Sequence, residues 1–144
     1  MKYLLDTNVL VAAFRSSIGA SSALLQRALR GDLPLVVHSK LVYEYRDVLC
    51  RAEMLATSGV SVEEVDLVLA HLVAKATEVD VRYLWRPNLR DEGDNFVLEI
   101  AVAAWPCTLV THNLGDFQQA ELRFPHIALV TPGQLMKFLQ TMPH

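Results

Sequence analysis

Short, unbroken apolar runs alternate along the chain with longer stretches in which apolar positions recur every three or four residues. Most of the short runs lack the in-out alternation of half-exposed strands, so they predict strands buried on both faces, at 2–5, 35–38, 108–111 and 127–130, and a further strand is expected at 78–81. Between them, 8–14, 23–30, 39–51, a segment opening at 60–64 and running to 76, 94–104 and 133–139 read as helices. Their ends carry physical signals. Gly31 sits where the second helix would need a left-handed C-terminal residue. Ser39 is the expected N-cap of the third, and Ser61 with Glu64 forms a capping box for the fourth. Pro106 closes the fifth, and Thr131-Pro132 is an N-cap followed by proline at the first helical position. Leu41, Tyr45, Val48 and Leu49 form the apolar face of the third helix; Val65, Leu69, Leu72 and Val73 form that of the fourth. Residues 16–22 and 85–93 read as polar loops. Strands alternating with helices predict an α/β fold with a parallel sheet covered on both faces.

Composition sharpens this. At 144 residues the chain is expected to form one domain, 1–144, with a core that needs no staples. It is 52% hydrophobic with a mean hydropathy of +0.26, more apolar than an average domain. The excess predicts a homodimer or a protein partner. The formal net charge of −3 gives no basic signature for nucleic acid, although a bound metal and a local basic rim can invert the field at one site. Cys50 and Cys107 have no metal-ligand spacing and read as reduced thiols. With no cleavable leader and no apolar run of membrane-spanning length, the expected location is the cytoplasm, away from the membrane.

The chemistry lies in the carboxylates. Asp6 directly follows the first strand, and Asp116 lies in the loop after the strand at 108–111. If those strands are neighbours, both acids stand at the C-terminal edge of the sheet, where open α/β sheets place ligands. Asp94 opens the helix preceding that strand, and Glu44 is one turn into the helix after the second strand, again near this edge. Each alone has an ordinary explanation: a helix cap for Asp6, a first-turn acid for Asp94, an Asx-turn for Asp116, a solvated helix position for Glu44. Together, four acids on one rim would repel each other unless a divalent cation compensated them. Hard oxygen donors without a His/Cys set suit Mg²⁺ or Mn²⁺, which can activate water for phosphodiester hydrolysis.

Four segments carry a family resemblance. Leu4-Leu5-Asp6-Thr7-Asn8-Val9-Leu10 resembles the opening motif of PIN-domain ribonucleases, and Ser39 to Leu49, containing Glu44-Tyr45, resembles their second motif. Asp91-Glu92-Gly93-Asp94-Asn95-Phe96-Val97-Leu98-Glu99-Ile100-Ala101 resembles the third, and Leu109-Val110-Thr111-His112-Asn113-Leu114-Gly115-Asp116-Phe117 the fourth. The four occur in order over essentially the whole chain. The resemblance implies a PIN-like three-layer α/β/α sandwich with a mostly parallel central sheet, and RNA cleavage at a Mg²⁺ or Mn²⁺ site. For small single-domain members it implies a VapC-like toxin with a cognate antitoxin, often as homodimers. The family's four acidic positions fall on Asp6, Glu44, Asp94 and Asp116. Asp6, Asp94 and Asp116 would hold the metal, and Glu44 would orient or deprotonate the attacking water. Asn8, Asp91, Thr111 and Asn113 are the expected supporting residues. Asp91 stands one turn before Asp94 and competes with it as ligand. His112-Asn113 replaces the small residue and acid of many relatives.

Arg15 and Arg86 are the leading candidates to contact RNA phosphates, with Arg46, Arg82 and Arg90 behind them, and Trp85 could stack on an unpaired base. His112 is read as a loop histidine without chemistry. Rival classes fit poorly. A haloacid-dehalogenase-like phosphatase needs a second Asp where Asn8 stands, a receiver domain needs a Lys nearer the sheet than Lys137, and a dinucleotide site needs a glycine-rich first turn that Asp6-Thr7-Asn8 does not supply. The serious alternative is an interaction module that keeps the fold with catalysis weak or lost.

Overall fold

Tyr3, Leu4 and Leu5 are buried in succession, as are Cys107, Thr108, Leu109 and Val110. Side chains of a strand point alternately to opposite faces, so both faces of the sheet are covered there. The computed structural model describes residues 2–80, 92–115, 117 and 127–141, with 92–95 described by their backbone alone. Its elements are β1 (Lys2–Leu5), α1 (Thr7–Arg15), α2 (Ala20–Leu29), β2 (Val36–Val37), α3 (Ser39–Leu49), α4 (Ala52–Ser58), α5 (Val62–Lys75), β3 (Thr77–Glu78), α6 (Glu92–Ala103), β4 (Cys107–Val110), β5 (Ala128–Val130) and α7 (Pro132–Thr141).

β1 pairs with β4 and β4 with β5, both parallel, with Leu5 opposite Val110 and Leu109 opposite Leu129. β2 and β3 pair in parallel, and a parallel bridge from Tyr3 to Leu35, with Tyr3 N–H donating to Pro34 O at 2.9 Å, sets β2 beside β1. The strands thus stand in the order β3-β2-β1-β4-β5. The chain builds outward from β1 in one direction and from β4 in the other. β1 and β4 therefore flank the point where strand order reverses, and a crevice forms there at their C-terminal ends.

The helices pack as their apolar faces require. α1 lies against α2 and α3, α2 against α5 and α7, and α6 against β4. The fully buried Leu24, Leu41, Leu49, Leu72, Leu98 and Ile100 join helices to strands in one core. The capping box of α5 forms as expected, Glu64 N–H donating to Ser61 Oγ at 3.1 Å. α7 begins with a second box: Gln134 N–H donates to Thr131 Oγ1 at 3.1 Å, and Thr131 N–H to Gln134 Oε1 at 2.9 Å. Gly31 adopts a positive φ of 82° just after α2.

Several expectations need correction. The helix expected over 39–51 stops at Leu49, and a separate helix, α4, follows over Ala52–Ser58. Extended backbone at Arg51 separates the two, and α4 buries only Met54, too little to leave a periodic signal. The N-cap of α3 is His38 rather than Ser39: its Nδ1 accepts from Lys40 N–H at 3.1 Å, a role a neutral imidazole fills. Val73, expected on the apolar face of α5, is 38% exposed. α6 starts at Glu92, inside the loop expected over 85–93; 85–91 lie outside the described residues. Among the described residues no single helix is long and apolar enough to cross a membrane.

Both cysteines are free. Burial pushes the Cys107 thiol up to about 12, well above its ordinary 9.0, while Cys50 is half-buried and raised less, also chiefly by burial. The thiolate is the reactive form. At pH 8 a thiol reagent is therefore expected to titrate one thiol of the native chain, Cys50, at a measurable rate and to reach Cys107 only in denaturant. Equal rates for both in the native state would contradict this packing around β4.

Candidate active site at the β1–β4 crevice

Asp6 leaves β1 at its C-terminal end. Its backbone N–H donates to Val110 O at 2.9 Å, extending the β1–β4 ladder one residue into the crevice, and the residue is only 6% exposed. A buried carboxylate needs donors around it. Thr7 N–H, the first of α1, donates to Oδ1 at 2.8 Å, so Asp6 caps the helix it precedes. Thr111, the residue after β4 and fully buried, donates its hydroxyl to Oδ2 at 2.8 Å, and Asn8 donates Nδ2 to the same oxygen at 3.3 Å.

Thr111 is the hub. Besides donating to Asp6, its Oγ1 accepts from Asn8 Nδ2 at 3.2 Å and from Asn113 N–H at 3.0 Å. Asn8 Oδ1 in turn accepts from His112 N–H at 3.1 Å. The start of α1 and the end of β4 are thus stitched together by side chains more than a hundred residues apart in sequence.

Glu44, on α3, joins through Thr7: the Thr7 hydroxyl donates to Glu44 Oε2 at 2.7 Å. Its neighbour Tyr45 turns the other way, is buried, and donates its hydroxyl to Leu5 O, anchoring α3 to the end of β1. Burial, and then the negative charges of Asp6 and Glu44, push the Tyr45 hydroxyl well above its ordinary 10.0, so it stays protonated and keeps donating. Both carboxylates therefore act on one buried group.

Asp94 is the third residue of α6, and its backbone alone is described; Asp116, Asp91, Arg82, Trp85, Arg86 and Arg90 lie outside the described residues. Two residues after Asp94, Phe96 packs edge-on against His38 with ring centroids 5.2 Å apart and lies under Lys40 Nζ at 4.4 Å. These contacts bring the start of α6 to the start of α3, the helix bearing Glu44. Among the described residues no three His, Cys, Asp or Glu side chains form a metal-ligating group. The donors the crevice does bring together, the carboxylates of Asp6 and Glu44, are hard oxygens without sulfur, the chemistry that suits Mg²⁺ or Mn²⁺, while Thr111 and Asn8 are taken up in holding Asp6.

Arg15 is exposed at the end of α1 opposite Asp6, about 12 Å along the helix axis. Arg46 pairs with Asp66, Nε to Oδ1 at 2.7 Å, and so is already engaged by an acid. Sequence reasoning missed Lys40, and it missed Ser21, which is buried and meets His112 Nε2 at 3.0 Å. A lysine directly after a predicted N-cap and a serine pair opening a helix were the only traces of them.

A family model described as PIN domain matches residues 2–115. Among solved structures, a chain of VapBC2 from Rickettsia felis, bound to a DNA fragment from their promoter, shares the fold with a TM-score of 0.57. At 17% identity, the match covers 91% of this chain and 98% of that one. No curated protein matches the sequence. The matched span runs from β1 through the turn after β4 and so includes Asp6, Glu44 and Thr111. The chain belongs to the PIN domain family.

Proposed function

We propose that this PIN-domain chain is a Mg²⁺- or Mn²⁺-dependent endoribonuclease and the toxin of a toxin–antitoxin pair, working in the cytoplasm as a homodimer or bound to its antitoxin. The observation that carries the reading is Asp6: a buried carboxylate at the strand-order reversal, oriented by Thr111 and Asn8 and linked through Thr7 to Glu44. A fold alone does not demand such an arrangement, whereas a hydrolytic metal site does. The neighbour solved as VapBC2 with promoter DNA supports the toxin–antitoxin part by analogy of fold. The exposed Tyr43, Trp105 and Phe138 offer apolar surface for a partner or a second copy.

In this reading Asp6, Asp94 and Asp116 hold the metal. The ion, when bound, polarises the scissile phosphate and stabilises the leaving oxygen. Thr111 and Asn8 fix the Asp6 carboxylate in one orientation. Thr7 holds Glu44 Oε2, which leaves Oε1 to accept a proton from the attacking water. Asn113, whose N–H is held by Thr111, places a neutral amide at the rim where many relatives carry an acid.

The test uses purified, antitoxin-free protein with a panel of labelled single-stranded and structured RNAs, with Mg²⁺, with Mn²⁺ and with a chelator. Cutting is expected only with metal. No cutting under either metal, together with no calorimetric metal binding that Asp6→Asn weakens, would leave the fold as an interaction module.

A further inference from the structure

A second cavity, of about 400 Å³, opens beside the acidic site between the starts of α2 and α7. We propose that it holds a phosphate of the RNA strand adjacent to the phosphodiester being cut, an inference that rests on the ribonuclease reading above. His112 lines it and connects it to the site, since the His112 backbone N–H is the one held by Asn8.

The cavity is built from donors. α2 has ten residues and begins after Gly19, which supplies no side-chain cap. The first acceptor inside the helix serves Ala23, so the amides of Ala20, Ser21 and Ser22 find none among the described residues. On the opposite wall α7 contributes the amide of Gly133, since Thr131 already satisfies Gln134. Two helix N-termini therefore converge on one space, each favouring negative charge.

An independent observation points to an occupant. Ser22 is only 8% exposed and lines the cavity, yet its hydroxyl makes no hydrogen bond among the described residues. Its neighbour Ser21 is engaged by His112 Nε2 at 3.0 Å, a contact across 91 positions of sequence that fixes the imidazole against the cavity wall. The Ser22 side chain is thus more than nine-tenths buried, while its hydroxyl has no partner among the described residues and opens into the cavity, where a ligand oxygen would find a donor. No acidic side chain is among the residues lining the cavity. Arg15, exposed and in no ion pair among the described residues, directly precedes Ser16 on the rim. A neutral, donor-rich cavity next to a cluster of carboxylates suits a polyanion that must approach those carboxylates: it offsets the repulsion one nucleotide away.

The experiment is an amide NMR titration of the metal-free chain, first with inorganic phosphate at constant ionic strength, then with a short single-stranded RNA. Phosphate is expected to shift the Ala20, Ser21, Ser22 and Gly133 amides, and RNA to shift the same amides and displace the phosphate. Ser22→Asp should abolish these shifts, weaken RNA binding about tenfold and reduce the slope of log affinity against log salt by about 0.7, the share of one phosphate. Ser22→Ala, the gentler change, should weaken binding about threefold. Amides that stay still with both probes in the folded wild type overturn the inference. So does phosphate binding that RNA neither reproduces nor displaces, which would assign the cavity to a free anion. A chain that cuts RNA while these amides stay silent loses this inference alone; a chain whose amides respond to RNA but which cuts nothing keeps the cavity and loses the catalytic reading.

Discussion

Asp6→Asn is expected to lower metal-dependent RNA cutting by about 10³-fold, roughly 4 kcal/mol of barrier, and to remove the stabilisation that Mn²⁺ confers on the folded chain. Asparagine keeps the shape, so the loss falls on charge. One charged ligand at the centre of the site disappears, and with it much of the reason for a cation to stay. A second consequence separates this variant from a mere knockout. In the native chain both Asp6 oxygens accept, from Thr7 N–H on one side and from Thr111 and Asn8 on the other. The substituted amide satisfies the helix cap with its oxygen and then turns its NH₂ toward the Asn8 NH₂. Thr111 cannot relieve the clash, because its oxygen already accepts from Asn8 and Asn113. The metal-free variant should therefore lose about 1–3 kcal/mol of stability in denaturant unfolding. In the wild type, metal at about a hundred times its dissociation constant should add about 2.7 kcal/mol, and in the variant close to nothing. An Asp6→Asn chain that still cuts RNA at an appreciable rate would move the catalytic centre away from the β1–β4 crevice.

How far such a site is legible in sequence depends on how local its parts are. β1 and β4 announce themselves as unbroken apolar runs because both faces are buried, and the alternation with helices is enough to make them parallel. That they are neighbours, with strand order reversing between them, is a fact of topology no local pattern carries. It is what turns Asp6 and Thr111 from two strand-end residues into a bonded pair. Glu44 was readable as an acid one turn into a helix, but its link through the Thr7 hydroxyl was not, nor was the turning of Tyr45 inward while Tyr43 stays 76% exposed. Helix signals held where the cap is a sequence motif, as at Ser61-Glu64, and slipped where an imidazole does a hydroxyl's work at His38. The cavity at α2 was illegible for the same reason as the strand pairing: Ser22, His112 and Gly133 come from three separate parts of the chain, and each alone is unremarked.

Thr111→Val should reduce RNA cutting about 10- to 100-fold while leaving the metal ligands in place, and cost about 1–3 kcal/mol of stability. Valine fills nearly the same volume, so packing around the fully buried side chain survives and the effect is that of the hydroxyl. Three groups lose their partner at once: Asp6 Oδ2 its shortest donor at 2.8 Å, Asn8 Nδ2 one of its two acceptors, and Asn113 N–H its only acceptor in this network. Of these donors Asp6 then keeps Thr7 N–H and the 3.3 Å contact from Asn8, a looser hold on its rotamer. A carboxylate held less firmly binds a cation less tightly, and the variant's activity should recover partly as Mn²⁺ is raised, which the Asp6→Asn chain's should not. Thr111→Ser restores the hydroxyl and should restore most of the activity, although the missing methyl leaves a small void beside β4. If valine and serine were equally damaging, shape rather than the hydrogen bond would be the contribution of Thr111. If neither changed the rate, the stitch between α1 and β4 would serve the fold without serving the chemistry.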